Sequence, residues 1–367
     1  MADPRVEKLA HVLTHYSLEL KPGDKFRLAS SVAGLPLLRE VYREATRAGA
    51  FVLTQIVDDE LNEILLKEGT QDQIEYLPDV RLQEIEYVDA TLVIIADNNT
   101  KRLSNIDPAR LALSRKPRGR VSRRINERYA EGALRWSLTL FPTQAHAQDS
   151  GMSLSEYEDF VYAAGMLNEP DPVTSWKQQA EMQQRIIEYL NPRKHIRIVT
   201  ADTEIEYRCA DRLWINCFGK ENFPDGEVFT CPIEDSVNGH VRFTYPSVYS
   251  GREAEDVRLT FKDGKVVDAT AVHGQDCLDA MLNMDVGARY LGEAAFGLNY
   301  SITRFTRNIL FDEKIGGTMH MALGESYPEA GGKNNSGLHW DMVCDLHDGE
   351  VYADGELCYQ NGKFLIA

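Results

Sequence analysis

The sequence lacks the short motifs that identify several large enzyme classes. It has no G-x-G-x-x-G after an early strand and no G-x-x-x-x-G-K-[ST], so neither glycine-rich loop for nucleotide phosphates is present. G-x-S-x-G is missing, which weakens a serine hydrolase hypothesis. H-E-x-x-H is missing as well, which excludes a zincin protease. Any catalytic chemistry must therefore come from residues outside these motifs.

The chain also has few basic residues and no long apolar run. No window approaches about 18 consecutive apolar residues, and the N-terminus does not have the basic and apolar segments of a secretory signal. Lys and Arg total 40 against 57 Asp and Glu, which gives a formal net charge of −17. Because so acidic a chain binds polyanions poorly, we expect no nucleic-acid partner and no membrane partner.

Cysteine is scarce and unevenly distributed. All six cysteines lie in the second half of the chain and none forms a C-x-x-C pair. This spacing favours buried, reduced thiols in a cytoplasmic protein over a disulfide framework or a zinc knuckle.

A chain of 367 residues exceeds the usual size of a single hydrophobic core, so we expect two domains. In the first half, strand-like runs alternate with helical apolar stripes, which predicts β-α-β units in an α/β domain with a mainly parallel sheet over residues 1–192. After Pro192 the sequence alternates polar and apolar residues. This predicts a β-rich α+β domain over residues 193–367.

One basic segment interrupts the acidic sequence, over residues 115–128 (RKPRGRVSRRINER). It could bind phosphates, but it contains no aromatic residue on which a base could stack. We therefore favour a solvated, salt-bridged helix or loop over a nucleic-acid site.

The segment 313–345 concentrates histidines and carboxylates. If residues 338–344 form a strand, His339 and Asp341 lie on one face, because residues two apart share a face of a strand. An imidazole and a carboxylate together suit a divalent ion such as Zn²⁺, Co²⁺ or Mn²⁺. Glu293 lies among small and apolar residues, where an unpaired carboxylate would be costly and a metal ion would neutralise it.

These segments together resemble the metallo-aminopeptidase family of aminopeptidase T, aminopeptidase S and PepS. The matching stretches are PDGEVFT, LGE, LFDE with a following His-x-Ala-Leu-Gly run, Tyr-Pro, and N-x-S-G-L-H-W-D, in the family's order. The sharp motifs span Glu227 to Asp341, whereas the first half matches only through its L-x-P-G-D turn and its α/β pattern.

The resemblance implies a set of metal ligands and catalytic residues. The implied ligands are Glu227, Glu293, Glu313, His320, His339 and Asp341, and the implied catalytic residues are Glu293 and Tyr327. Two features depart from the family pattern. The first is that two additional residues lie between Glu313 and His320, and this spacing bears on whether Glu313 is a ligand. The second is that the connection from Tyr327 to His339 is shorter than in the family pattern.

The resemblance further implies two divalent ions per chain (Zn, Co, Mn or Mg) that share a hydroxide. This hydroxide would attack the first peptide carbonyl of a substrate with a free N-terminus. Glu293 would move the proton and Tyr327 would hydrogen-bond the oxyanion. A homodimer is implied because relatives pair to enclose the active site.

Two alternatives remain at the level of sequence. Relatives with this fold include mononuclear iron dioxygenases, which need fewer carboxylates than Glu227, Glu293 and Glu313 supply. The other alternative is a non-catalytic binding protein that uses the basic segment 115–128.

Overall fold

The computed structural model describes residues 3–249 and 251–366. These residues divide into two compact units. The first comprises the described residues up to Val173 together with Gly219–Phe223, and the second comprises Thr174–Phe218 and the described residues from Pro224 onward.

The β-strands are distributed along the whole of the described chain. In chain order they are β1 (Lys25–Ser31), β2 (Phe51–Val57), β3 (Ala90–Ile95), β4 (Arg135–Leu140), β5 (His195–Val199), β6 (Glu204–Arg208), β7 (Ile215–Cys217), β8 (Asn222–Phe223), β9 (Glu227–Thr230), β10 (Asn238–Phe243), β11 (Ser247–Tyr249), β12 (Arg252–Ala254), β13 (Val257–Lys262), β14 (Lys265–Thr270), β15 (Leu291–Gly297), β16 (Thr318–Gly324), β17 (His339–Asp345), β18 (Glu350–Ala353), β19 (Glu356–Gln360) and β20 (Lys363–Phe364).

The α-helices are concentrated in the first half of the chain. They are α1 (Pro4–Val12), α2 (Leu35–Arg47), α3 (Asp59–Glu68), α4 (Gln71–Glu75), α5 (Asp79–Tyr87), α6 (Pro108–Ala130), α7 (Gln144–Asp149), α8 (Leu154–Ala164), α9 (Pro172–Leu190), α10 (Gln275–Leu282) and α11 (Ile309–Asp312). Within the described residues, no helix has both the length and the apolar character that a bilayer span requires.

The first unit contains a parallel sheet. Its strand order is β2-β1-β3-β4-β8, and every neighbouring pair runs parallel. Phe26, Leu28, Leu92 and Ile94 are buried on its inner strands, as the continuous apolar runs predict for strands covered on both faces.

The second unit is rich in antiparallel strands. An eight-stranded sheet has the order β14-β13-β10-β6-β5-β18-β19-β20, and a five-stranded sheet has the order β17-β16-β15-β9-β7. Side chains of both sheets contribute to one buried apolar core, among them Ile198, Leu259, Phe296 and Met321. The predicted fold class, an α/β part with a parallel sheet followed by a β-rich α+β part, is therefore confirmed.

The basic segment lies on α6, and three of its cations, Lys116, Arg124 and Arg128, contact acidic groups or backbone carbonyls. Arg124 pairs with Glu86 and with Glu127, and Lys116 lies 2.7 Å from Glu75. Arg128 donates to backbone carbonyls, including that of residue 88 at 2.7 Å. The Arg115 side chain lies outside the described residues. These pairings are those of the salt-bridged helix favoured from the sequence.

Candidate metal centre

Adjacent strands of the five-stranded sheet place carboxylates and imidazoles on one face. The register pairs Glu293 of β15 with Ala322 of β16, and Ala322 with Asp341 of β17, so these residues form a row across the sheet. His320 and His339 each lie two positions before a member of that row. Because alternate residues of a strand face the same side, all four polar side chains share this face.

Small residues opposite the polar ones leave room above the sheet. His320 pairs with Ala295, His339 pairs with Gly324, and Glu227 of β9 pairs with Gly297. Because residues directly opposite each other have closely spaced Cβ atoms, larger side chains at these positions would crowd the carboxylates and imidazoles. The sequence places alanine or glycine at these three positions, whereas the larger Val343 lies opposite His320 on β17.

Backbone carbonyls orient both imidazole rings. His320 Nδ1 lies 3.0 Å from the carbonyl oxygen of Glu313, and His339 Nδ1 lies 2.9 Å from that of Glu325. Since a carbonyl can only accept, each Nδ1 carries a proton, and Nε2 is the atom that can donate a lone pair to a metal once it is deprotonated. Metal-binding histidines are held in this way by their other ring nitrogen.

Both Nε2 atoms point at the same carboxylates. His339 Nε2 lies 3.2 Å from Glu293 Oε2 and 3.4 Å from Asp341 Oδ1. His320 Nε2 lies 3.5 Å from Glu293 Oε1 and 4.0 Å from Asp341 Oδ1. Two nitrogens and carboxylate oxygens from two residues thus converge on one small volume.

Glu313 follows α11 and lies on a second side of this volume. One ligand atom each of Glu313, His320 and Asp341 lies within 4.8 Å of the others, as is the case for Glu293, His339 and Asp341. Asp341 therefore belongs to both groups of donors. The additional residues between Glu313 and His320 do not remove Glu313 from the centre.

A buried lysine lies beside these acidic residues. Lys314 is 0 % exposed, and its Nζ lies 3.2 Å from Glu227 Oε1 and 3.8 Å from Asp225 Oδ1. It also forms an ion pair with Glu313 Oε1. Lysine is almost never fully buried without such partners. Sequence reasoning missed both Lys314 and Asp225, although the altered spacing after Glu313 marked this segment as unusual.

Tyr327 lies at the rim of the centre. Its hydroxyl is 3.4 Å from His339 Nε2, its ring packs on Phe229 with centroids 5.1 Å apart, and 36 % of the residue is exposed. The structure thus brings together all seven residues that the sequence analysis selected, with Tyr327 on the side open to solvent.

Burial and charge act against each other in this cluster. Desolvation raises the pKa of Glu227 to about 8, although Lys314 opposes the shift. Burial alone would lower the pKa of His320, but the Glu293 and Glu227 carboxylates outweigh it and raise that pKa to about 10. Burial would raise the pKa of Asp341, but His339 outweighs it and lowers that pKa to about 2.

The donor set fits a divalent cation. Within the part of the chain that the structure describes, Asp341 Oδ1 and Glu227 Oε2 are buried and have no hydrogen-bond partner. A buried carboxylate oxygen without a partner is costly, and a metal ion would satisfy it. Imidazole nitrogens with carboxylate oxygens suit Zn²⁺, Co²⁺ and Mn²⁺. The fold and the site thus define a protein with a candidate divalent-metal centre.

Comparison with known proteins identifies the family. The signature of the thermophilic metalloproteases (M29) matches residues 2–364. The chain is 27% identical to Aminopeptidase 2 of Geobacillus stearothermophilus, over 99% of this chain and 98% of that protein. The chain therefore belongs to the M29 family of thermophilic metalloproteases.

Two solved structures share the fold. AmpT from Thermus thermophilus superposes with a TM-score of 0.86 at 22% identity, over 99% of both chains. The 2,5-dihydroxypyridine dioxygenase of Pseudomonas putida superposes with a TM-score of 0.62 at 13% identity, over 99% of this chain and 97% of that one.

The family predicted from the sequence is confirmed by these matches. The predicted enzyme class, a metalloexopeptidase, is confirmed as well, because the family is one of metalloproteases and its curated relatives are named aminopeptidases.

Proposed function

We propose that the chain is a divalent-metal aminopeptidase that releases N-terminal residues from peptides, and that its active centre is the face of the five-stranded sheet described above. The observation that carries the proposal is the convergence of His320 Nε2, His339 Nε2, Glu293 and Asp341 on one volume, with both Nδ1 atoms fixed by backbone carbonyls. The names of the curated relatives supply the reaction type.

We propose that the metal ligands are those inferred from the resemblance. Glu293, His339 and Asp341 would hold one ion, and Glu313, His320 and Asp341 provide a second, overlapping position for the predicted second ion. Glu227 lies next to Glu313, because Lys314 Nζ forms ion pairs with both carboxylates, and we propose it as a further ligand. A divalent ion in such a centre polarises a peptide carbonyl and lowers the pKa of water.

Glu293 is placed to move the proton. Its two oxygens lie between the two imidazoles and only 4 % of the residue is exposed, so its position is fixed by its neighbours. We assign it the transfer of a proton from the attacking water to the leaving amine, as general base and then general acid. Asp341 lies across Ala322 from Glu293 and keeps His339 oriented.

Tyr327 is placed to stabilise the oxyanion. Its hydroxyl reaches the rim of the centre, and its ring is held against Phe229 and lies edge-on to His339 with centroids 5.2 Å apart. We assign its hydroxyl a hydrogen bond to the carbonyl oxygen of the substrate as negative charge develops there.

The test combines metal analysis with a peptidase assay. Purified protein is assayed for hydrolysis of leucine p-nitroanilide and of short peptides before chelation, after chelation and after addition of Co²⁺, Zn²⁺, Mn²⁺ or Mg²⁺. The proposal predicts that activity is lost with the metal and returns with it. Metal binding without hydrolysis of any substrate with a free N-terminus would contradict it.

A mononuclear iron oxygenase is the second candidate. His320, His339 and Asp341 form the two-histidine, one-carboxylate set of non-haem iron enzymes, and the fold is shared with a dihydroxypyridine dioxygenase. Glu293, 3.2 Å from His339, adds a carboxylate that this chemistry does not need. Oxygen consumption with Fe²⁺ and a dihydroxylated aromatic compound, in protein inactive on peptides, would favour this candidate.

We also propose a homodimer located in the cytoplasm. Apolar side chains are exposed on the edge strand β2 and on the helices that follow, including Phe51 at 66%, Leu61 at 64% and Tyr76 at 70%. A contiguous exposed apolar patch marks an association surface, and we propose that these side chains form one. The six free thiols, of which Cys217 alone is only partly buried, suit a reducing compartment. Light scattering of the purified protein and fractionation of cells test the two proposals.

A further inference from the structure

The two cation positions of the centre have different surroundings. At the first, the groups facing the ion are Glu293, His339 and Asp341, and no cationic side chain other than these imidazoles forms an ion pair with them among the described residues. At the second, Lys314 forms an ion pair with Glu313, one of its three donors.

Lys314 is built into the second position. Its side chain is 0% exposed, and its Nζ contacts carboxylates from three places in the chain: Asp225, Glu227 and Glu313. Glu227 lies on β9, Glu313 follows α11, and Asp225 precedes β9. Burying an ammonium is costly, so the cation is retained only where several carboxylates compensate it.

An ammonium at this place competes with a metal ion. It already takes one oxygen of Glu313 and one oxygen of Glu227, which leaves each residue a single free oxygen for coordination. It also repels any further cation bound by those residues, and this repulsion is strong where water is excluded. At the first position Lys314 takes no carboxylate oxygen in any ion pair of the described residues, and its charge acts there only from a greater distance.

We propose that Lys314 is a resident cation that makes the centre asymmetric: one divalent ion binds tightly at Glu293, His339 and Asp341, while an ion at Glu313 and His320 competes with the lysine ammonium and binds more weakly. The proposal rests on the metal centre assigned under the proposed function. It adds that the number of ions per chain depends on the free metal concentration.

The experiment measures metal stoichiometry without reference to turnover. Full-length protein is dialysed against Zn²⁺ buffers of increasing free concentration, and bound zinc per chain is measured by mass spectrometry of the metal. For the unaltered protein we expect two binding steps, the second at a free Zn²⁺ concentration at least about tenfold higher than the first.

Substitution of the lysine tests its role. Lys314→Gln removes the charge, and the second binding step should move to a roughly tenfold lower Zn²⁺ concentration while the first stays in place. Lys314→Arg keeps the charge and should leave the two steps separated. Lys262→Gln, at an exposed position of β13, is the matched control and should change neither step.

The outcomes separate this proposal from the proposed function. Two ions bound in a single step by the unaltered protein, or an unmoved second step in Lys314→Gln, overturn the role of Lys314 even if peptides are hydrolysed. If Lys314→Gln does not fold, the zinc-binding isotherm of the unaltered protein still tests the proposal, because a single binding step would overturn it. Two separate steps in a protein that hydrolyses no peptide would overturn the aminopeptidase and leave the asymmetric centre intact.

Discussion

The two faces of the five-stranded sheet are built from the same strands but serve different purposes. On one face Phe296, Met321 and Met342 are buried at 0–1 % exposure and join the main apolar core. The other face carries Glu293, His320 and Asp341, which lie three, one and one positions before these residues and are held by ion pairs. Because side chains alternate along a strand, one face of the sheet packs against the core and the other face carries the candidate metal centre.

The difference shows where stability and activity originate. The apolar face contributes burial, which is worth about 25 cal/mol per Å² of apolar surface. The polar face places carboxylates out of water, which opposes folding unless a cation compensates. Substitutions on the two faces should therefore separate loss of activity from loss of stability.

Loss of Asp341 should have the largest effect on activity. Asp341→Asn removes the carboxylate that belongs to both donor groups. We expect kcat/KM to fall by about a thousandfold, because several kcal/mol of transition-state stabilisation depend on the metal. The measurement is hydrolysis of leucine p-nitroanilide together with metal content.

The control for this variant is Asp345→Asn, at an exposed position near the end of the same strand. It should keep both metal and activity. Full activity in Asp341→Asn would show that the polar face is not the active centre.

Truncation of a side chain on the apolar face should lower stability and leave metal binding intact. Phe296→Ala removes a ring that lies 5.9 Å from the rings of Trp214 and Tyr359, centroid to centroid. We expect the free energy of unfolding to fall by about 3–5 kcal/mol, as for other buried aromatic residues. Metal stoichiometry measured at low temperature should stay unchanged. Loss of metal without loss of stability would contradict the division between the faces.

Removal of the Tyr327 hydroxyl should affect turnover alone. In Tyr327→Phe we expect kcat to fall about a hundredfold, the size of effect that one oxyanion donor contributes. Metal content should be unchanged, because the ring contacts with Phe229 and His339 remain. Steady-state kinetics with metal analysis provide the measurement. An unchanged kcat would remove Tyr327 from the mechanism.

The smallest effect concerns the loop that leads into the polar face. Asp285 accepts hydrogen bonds from Ser336 Oγ at 2.8 Å and from the backbone N–H of Gly337 at 2.7 Å, just before β17. Asp285→Asn should lower the free energy of unfolding by about 1 kcal/mol at pH 7, since Asp285 is exposed and its bonds are shared with water. Denaturant titration measures this change.

The difference in free energy of unfolding between the unaltered protein and Asp285→Asn should depend on pH through the pKa of Asp285. Burial alone would raise this pKa, but the hydrogen bonds from Gly337 and Ser336 outweigh it and lower it below its usual 3.8. The carboxylate therefore stabilises the folded state fully above about pH 4, and its contribution is lost as the pH falls through the lowered value. The difference between the two proteins should shrink at acidic pH. A constant difference would mean that the loop is held by other contacts.

Local pattern predicts the faces of the strands well. The shared face of His339 and Asp341 follows from the two-residue period alone, and the structure has both residues on β17. Glu293 was selected because burying a carboxylate among apolar neighbours is costly, and in the structure Glu293 is only 4% exposed. Alternation and burial are local properties, so the sequence expresses them directly.

Nonlocal pairing is harder to predict from the sequence. The row Glu293, Ala322, Asp341 exists because β15, β16 and β17 pair in one particular register, and register is set by the whole sheet. Lys314 could not be singled out from the sequence, because a lysine is usually a surface residue. Its burial becomes evident only once β9 brings Glu227 next to it.

Anomalous diffraction from crystals loaded with Co²⁺ or Zn²⁺ tests the central claim most directly. The account predicts a strong metal peak within coordination distance of His320 Nε2 or His339 Nε2 and of Asp341, on the polar face of the five-stranded sheet. A protein that hydrolyses N-terminal residues but has its metal peak elsewhere, with this face empty, would contradict it.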